Sequence, residues 1–130
     1  MKKYLSKIIA NDSEGLQIIS ACCTGAEIKV SDIKYLQKNK VFLLSLQRFK
    51  IETEDINKKV NSICRFEWVT KVKSKNIKQN NHEKKIKLLA IDYLKNKEKY
   101  EINLIFANNA YIALTSEIIE VSLEDQQKID

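Results

Sequence analysis

The residue types that most often carry out chemistry in proteins are scarce in this chain. Its 130 residues include one histidine, His82, and three cysteines, Cys22, Cys23 and Cys64. None of them has the spacing of a metal-binding motif such as CxxC, HxxxH or HExxH. Cys22 and Cys23 are neighbours on a predicted helix, about 100° apart around its axis, so their thiols cannot point the same way. The sequence therefore predicts no metal site.

Nucleophilic catalysis is not indicated either. A reactive thiolate is favoured at a helix N-terminus or beside a cation, whereas Cys22 and Cys23 fall near the C-terminal end of the predicted helix, where the dipole opposes a negative charge. Cys64 alternates with Phe66, which indicates a small buried side chain. A catalytic serine would need His82, which lies in a polar loop, and no elbow motif is present. We predict no catalytic residue and no cofactor.

The two arginines are the first candidates for an anion-binding site, because the other basic residues among the 23 are all lysine. Arg48 and Arg65 each precede a phenylalanine, and a guanidinium offers a planar fork that lysine cannot replace. A structural role for both arginines is the favoured interpretation. Arg65 would pair with Glu67 or with an acid across the strand, and Arg48 would mark the point where its strand leaves the core and meets water.

A run of lysines is the second candidate. Between residues 71 and 87 seven lysines accompany one acid, Glu83. If 62–75 and 85–94 form a hairpin, these side chains cluster at its tip and could follow the phosphates of a macromolecule. The predicted macromolecule-binding residues are Lys71, Lys73, Lys75, Lys78, Lys84, Lys85 and Lys87.

Nucleic acid is a partner that this run permits but does not favour. No aromatic residue occurs between Trp68 and Tyr93, so base stacking is not provided there. The net charge of +6 also has a plain explanation, because Lys, Ile and Asn all have AT-rich codons. The favoured interpretation is a non-enzymatic binding or accessory domain with a basic hairpin surface.

The alternative function belongs to another class, a small enzyme or ligand-binding protein with a pocket at the mouth of a barrel. Arg48 would anchor an anionic substrate, and Asp92 or Tyr93 would supply acid–base chemistry. Asp92 alternates with Leu88 and Ala90, which would place its carboxyl inside and raise its pKa. An exposed edge position for Asp92 is the favoured expectation.

The elements that must position these residues are mostly strands. Asn11, Asp12 and Ser13 supply N-cap chemistry for one helix, and Gly25 supplies its stop. Asn108 and Asn109 suit a tight turn, and residues 117–124 fit a strand or a short helix. The predicted helix is 13–23, and the predicted strands are 4–10, 26–30, 32–37, 41–51, 62–75, 85–94, 100–106 and 111–115. Along 62–75 the inward residues are predicted to be Cys64, Phe66, Trp68, Thr70 and Val72.

These elements predict one α+β, mostly β domain over residues 1–130. One helix in the N-terminal half and about seven or eight antiparallel strands would form a strongly bent sheet or a partly closed barrel, for which a pleckstrin-homology-like layout is one candidate. An unpaired edge of such a sheet could also support a homodimer. With no apolar run long enough for a signal peptide or a membrane helix, and an odd number of cysteines, we expect a cytoplasmic protein without membrane contact.

Several stretches resemble one family of small alphaproteobacterial proteins, grouped as domain of unknown function 2948. They are LQIISACCTGAEIKVSDIKYLQKNKVFLLSLQRFKIE, FEWVTKVKSKNI, LLAIDY and YEINLIFANNAYIALTSEIIEVSLED. The resemblance covers nearly the whole chain, and Arg48, Phe49 and Glu52 stand at positions matching the family pattern. It implies the same fold class and supplies no catalytic residues, so it leaves function open.

Departures from the family pattern fall mainly in turns. Glycines of that pattern are replaced here by Ser31 and by the pair Asn108 and Asn109. Asparagine tolerates the left-handed conformation, so the second change is easily accommodated. A tryptophan of the pattern is Ile51 here, which argues against an aromatic role at that position.

Overall fold

A computed structural model describes residues 6–50, 58–78 and 80–126. Within these residues the chain forms one α-helix, α1 (Ser13–Cys23), and ten strands. The strands are β1 (Lys7–Ala10), β2 (Glu27–Lys29), β3 (Ile33–Leu36), β4 (Val41–Phe49), β5 (Lys59–Phe66), β6 (Val69–Lys75), β7 (Lys85–Asn96), β8 (Lys99–Phe106), β9 (Tyr111–Ser116) and β10 (Val121–Asp125). Ile51 and Glu52, at the end of the predicted 41–51 strand, lie outside the described residues.

All ten strands belong to one sheet whose pairs are antiparallel and whose path does not close. The order is β1-β10-β5-β4-β2-β7-β8-β9-β6. β3 pairs with the first half of β4, and β2 pairs with its second half at Gln47. The predicted fold class, α+β and mostly β with one helix and antiparallel strands, is confirmed, and the described strands number ten where about seven or eight were predicted. In the described part of the chain β1 and β6 end the path.

The helix forms where its caps and its apolar spacing predict it. The Asp12 side chain accepts a hydrogen bond from the Gly15 amide at 2.8 Å, which satisfies one of the unpaired N–H groups of the first turn. Gly25 adopts a φ of +84° and donates to the Leu88 carbonyl oxygen at 2.7 Å, which ends the helix and fixes the chain against β7. The helix buries four residues against the sheet, namely Leu16, Ile19, Cys22 and Cys23.

The hydrophobic core lies between α1 and the inner face of the bent sheet. Alternate residues of β4, β5, β8 and β9 point into it, because successive side chains on a strand face opposite sides. Phe42 and Phe66 meet edge to face at its centre, with ring centroids 6.0 Å apart. Ile102, Leu104 and Phe106 are buried as the alternation of β8 predicts.

The predicted strand over 62–75 is wrong in one respect, because the chain turns in its middle. β5 ends at Phe66 and β6 begins at Val69. Trp68 between them has a φ of +62° and its residue is 44% exposed, so it does not continue the inward row of Cys64 and Phe66. A tryptophan in the left-handed region is uncommon, which is why alternation alone did not indicate this reversal.

The predicted hairpin between 62–75 and 85–94 is also wrong. β6 pairs with β9, whereas β7 pairs with β2 and β8. The partner of β6 is supplied by a strand about forty residues away in sequence, and local charge patterning carries no information about such pairing.

Two other turn and tail regions are resolved by the structure. Asn108 and Asn109 have φ values of +64° and +60°, which confirms the tight turn between β8 and β9. Residues 121–125 form β10 and pair with both β1 and β5, so the tail that fitted either a strand or a helix contains a strand.

We predict that Gly15→Ala destabilises the protein, although alanine normally favours helices by up to about 1 kcal/mol. A Cβ at residue 15 would lie 2.9 Å from both Cα and Cβ of Ala10, and the Cα belongs to the backbone of β1. The free energy of unfolding, measured in urea, should fall by roughly 1–3 kcal/mol because the contact must be relieved. Gln17→Ala, at an exposed site on the same helix, should remain within about 0.5 kcal/mol of wild type. A stabilised Gly15→Ala variant would contradict this close approach.

Candidate functional site

Arg48 lies inside the protein, so the expectation that it marks the point where β4 meets water is wrong. The residue is 1% exposed, and its Nη2 atom lies 2.9 Å from Oδ1 of Asp125. Its Nε atom also donates to Oγ of Ser62 at 3.1 Å. The inward alternation of Leu44 and Leu46 simply continues to Arg48, and the charge is accommodated because a carboxylate lies inside as well.

Asp125 is the centre of this buried cluster. Its Oδ1 atom accepts from Ser62 Oγ at 2.7 Å as well as from Arg48. Its Oδ2 atom lies 2.9 Å from Nζ of Lys50 and accepts from the Ser6 amide at 2.9 Å. Lys50 is 1% exposed, so both cations are removed from water together with the carboxylate. The cluster joins the ends of β4 and β10 to the inner face of β5.

The electrostatics of the cluster keep the carboxylate ionised. Burial alone would raise the pKa of Asp125, but the hydrogen bonds from Ser62, the Ser6 amide, Lys50 and Arg48 lower that pKa from 3.8 to about 2. With both oxygens occupied and the side chains enclosed, the cluster has the character of a structural element.

The residues of the pocket hypothesis do not come together. A β-bulge between Leu88 and Ala90 shifts the alternation of β7, so Asp92 faces solvent while Arg48 is enclosed. Tyr93 is 38% exposed. The favoured expectation of an exposed Asp92 is confirmed.

Arg65 points to the opposite face of the sheet from Arg48. It is exposed on β5 and forms an ion pair with Glu67, as the structural alternative predicted. A site using both guanidinium groups on one face is not formed.

All seven lysines of the predicted binding run are exposed, but they lie on two strands that do not pair and in the connection between those strands. Lys71, Lys73 and Lys75 lie on β6 at the end of the strand path. Lys85 and Lys87 lie on β7 beside β2, and Lys78 and Lys84 lie in the connection between the two strands. They therefore do not line one hairpin.

An apolar opening separates β3 from β6, and we call it the gap cavity. Tyr35 donates from its hydroxyl to the Val69 carbonyl oxygen at 2.9 Å, and the Val69 amide donates to the Lys40 carbonyl oxygen at 2.8 Å. Past Val69, no backbone hydrogen bond joins the two strands in the part of the chain that the structure describes. The gap cavity has a volume of about 380 Å³ and is lined by Val30, Ser31, Ile33, Tyr35, Phe42, Val72, Ser74, Ile77, His82 and Ile112.

A second cavity, the polar cleft, lies on the outer face of β2, β4 and β5. Its volume is about 430 Å³, and its lining is rich in amide and charged side chains. The sequence analysis identified neither cavity. The short strand predicted at 32–37 was the only signal for the gap cavity. The polar residues that line the cleft come from strands that are distant in the sequence, so the sequence does not show that these residues lie together.

Other chemistry of the described residues is limited. No group of three or more His, Cys, Asp or Glu side chains within 6–50, 58–78 and 80–126 could hold a metal ion. The three cysteines are buried and form no disulfide there. A hydrogen bond with Cys23, together with burial, raises the pKa of the Cys64 thiol well above its usual value. No helix in the described part is long and apolar enough to cross a membrane, and the cytoplasmic location stays a prediction.

These features define the class of the protein, a small antiparallel β-sheet protein with one packed helix, a buried ionic cluster and surface cavities that include the gap cavity and the polar cleft. The chain belongs to the family described as protein of unknown function (DUF2948), whose model matches residues 6–129. The resemblance noted in the sequence is thereby confirmed. The search of curated proteins gives no match, and neither does the search of solved structures.

We predict that Asp125→Asn lowers the free energy of unfolding by about 3–5 kcal/mol, because Arg48 and Lys50 then lose the carboxylate that they share inside the protein. Urea denaturation at pH 7 measures the change. Asp92→Asn removes the same charge from an exposed site and should change stability by less than about 0.5 kcal/mol. Equal effects of the two variants on the free energy of unfolding would contradict a stabilising role for the buried cluster.

The lowered pKa of Asp125 also predicts a pH dependence. Between about pH 4 and pH 2 the unfolded chain binds a proton at this residue before the folded chain does, so the stabilisation is complete above about pH 4 and is lost as the pH falls towards 2. The stability difference between wild type and Asp125→Asn should shrink by about 2 kcal/mol between pH 5 and pH 2. Asp92→Asn is the control for removal of a carboxylate from an exposed site, measured at the same two pH values. A constant difference for Asp125→Asn would contradict the lowered pKa.

Proposed function

We propose that this protein is a non-enzymatic binding domain that takes up an extended, acidic segment of a partner protein along β6. The observation that carries the proposal is the position of β6. It is an edge strand with lysines on its outer face and an apolar cavity beside its inner face.

The backbone of β6 has one side available for pairing. Among the described residues it forms a ladder with β9 alone, and residues of β6 and β3 line the gap cavity together. The N–H and C=O groups of such an edge are a template for another strand, and several peptide-binding domains use an edge in this way.

The side chains of β6 indicate what sequence an added strand would carry. Lys71, Lys73 and Lys75 are exposed on the outer face, whereas Val72 points to the gap cavity. An added strand follows the same pleat, so its successive residues would meet the lysines and the cavity in turn. Opposite charges directly across a strand pair are favourable. The fitting segment therefore alternates acidic and apolar residues.

The size and lining of the gap cavity support a partner segment with apolar residues at alternate positions. Ile33 and Tyr35 form one wall, Ile112 contributes to the lining, and the volume of about 380 Å³ is enough for a bulky apolar side chain. His82, the one histidine, also lines it and offers a polar contact.

Two other partners fit less well. Duplex or single-stranded nucleic acid would have to use lysines that lie on separate parts of the sheet, as β6 and β7 do not pair. A homodimer formed by pairing two β6 strands would place lysines opposite lysines, and like charges directly across a ladder are unfavourable.

The test is fluorescence anisotropy with a labelled decapeptide of alternating Glu and Val, titrated at near-physiological salt. We expect micromolar binding that Lys71→Glu/Lys73→Glu/Lys75→Glu weakens by about tenfold or more, since three favourable cross-strand pairs become unfavourable. The matched control is Lys95→Glu/Lys97→Glu/Lys99→Glu, which reverses three exposed lysines around the β7–β8 turn and gives the same net charge. The control should bind within about twofold of wild type.

A backbone-modified pair of peptides separates strand addition from simple charge attraction. In one peptide alternate residues are N-methylated so that the N–H groups facing β6 are removed, and in the other the remaining set is methylated. Only one of the two should lose binding, because only one set of N–H groups pairs with β6. Equal binding of both, equal loss in both lysine variants, or tighter binding of a duplex DNA probe than of the peptide would overturn the proposal.

A further inference from the structure

The polar cleft contains two lysines that face each other. Lys29 on β2 and Lys85 on β7 are directly paired in the antiparallel register. Their side chains leave the same outer face of the sheet, and like charges in this position repel one another. Glu83 lies 3.7 Å from Lys29 Nζ, but both side chains of that pair are substantially exposed, so the attraction is weak. An anion between the two lysines would relieve the repulsion.

The same cleft contains two half-buried carboxylates, those of Glu27 and Asp32. Neither has a hydrogen bond or an ion pair with another residue of the described segments. Lys87 is opposite Glu27 in the register but forms no ion pair with it. Half-buried carboxylates retain a need for hydrogen-bond donors, and the cleft is the place where a ligand could supply them.

Amide side chains complete the floor of the cleft. Gln47 on β4 is paired with Asn61 on β5 and with Glu27 on β2, so the three outward side chains form a row across three strands. Neighbouring strands are about 4.8 Å apart, a spacing at which adjacent side chains can reach neighbouring hydroxyl groups. Each amide offers both donors and an acceptor. The row lies two residues, roughly 7 Å, from the lysine pair along β2.

We infer that the polar cleft is a binding site for a small phosphorylated sugar, with the phosphate between Lys29 and Lys85 and the hydroxyl groups along the row from Glu27 to Asn61. Two lysines match a phosphate dianion better than a single negative charge. Carboxylates and amides are suitable partners for adjacent hydroxyls, and the volume of about 430 Å³ lies in the range of small-molecule sites. None of the described residues that line the cleft is aromatic, so they offer a nucleobase no stacking partner.

This inference is independent of the peptide proposal, because the cleft and β6 share no residue. The test is isothermal titration calorimetry of the whole chain with ribose 5-phosphate, with ribose and inorganic phosphate as separate titrants. We expect ribose 5-phosphate to bind at least about tenfold more tightly than either fragment, since both halves of the cleft are then occupied.

Substitutions test which half of the polar cleft binds the phosphate and which half binds the sugar. Lys29→Gln/Lys85→Gln should weaken ribose 5-phosphate by about tenfold or more, whereas Lys95→Gln/Lys99→Gln at the distant β7–β8 turn should leave it within about twofold. Glu27→Gln/Asp32→Asn should weaken the binding of ribose 5-phosphate and should not weaken the binding of inorganic phosphate. Phosphate binding as tight as that of ribose 5-phosphate would overturn the inference, as would the absence of heat with ribose 5-phosphate or equal effects of the two lysine variants. Thermal melts of each variant identify any variant that fails to fold. The remaining variants and the titrations with ribose and with inorganic phosphate then test the inference.

Discussion

One buried carboxylate determines how β1, β10, β5 and β4, the strands at one end of the sheet path, are arranged. Asp125 accepts from Arg48, Lys50 and Ser62 within the core, and moving these charges out of water is costly unless each finds a partner. The arrangement also fixes the register of β10 on β5. A slip of one residue would turn Asp125 to the outer face and leave two cations inside without it. The pairing of β10 is therefore specified by charge as much as by its apolar residues, and the Ser6 amide extends the same specification to β1.

With the inner face fixed in this way, the two candidate sites lie on the outer face of the sheet and beside the edge strand β6. Inward positions are occupied by the core and by the ionic cluster, so polar residues of β2, β4 and β5 gather on the outside and form the polar cleft. The sheet turns at Trp68, which brings the start of β6 to Lys40 and to Tyr35 and yet leaves the rest of β6 separate from β3. The gap cavity follows from this incomplete closure. Both candidate sites thus arise from how the strands are arranged, and neither is formed by a sequence motif.

The sequence predicts well the features that are specified locally. The bounds of α1 follow from the Asp12 cap, the apolar spacing and Gly25, and the left-handed turn at Asn108 follows from residue type. It fails where the decisive partner is distant. Arg48 was expected in water because a charged residue late in an apolar strand usually marks the point where the strand leaves the core, and the carboxylate that it contacts inside lies 77 positions further on. The pairing of β6 with β9 and the two cavities depend on the same kind of long-range information.

The separation between Arg48 and its carboxylate has a consequence during synthesis. A ribosome adds about 5–20 residues per second, so roughly 4–15 seconds pass between the appearance of Arg48 and that of the residue 77 positions later. During that interval Arg48 on β4 and Lys50 just after it are present without Asp125, the carboxylate that both contact in the folded protein. The cluster that joins the end of β4 to β10 can therefore form only after Asp125 has been made. Completion of this part of the core is in this way coupled to the synthesis of β10.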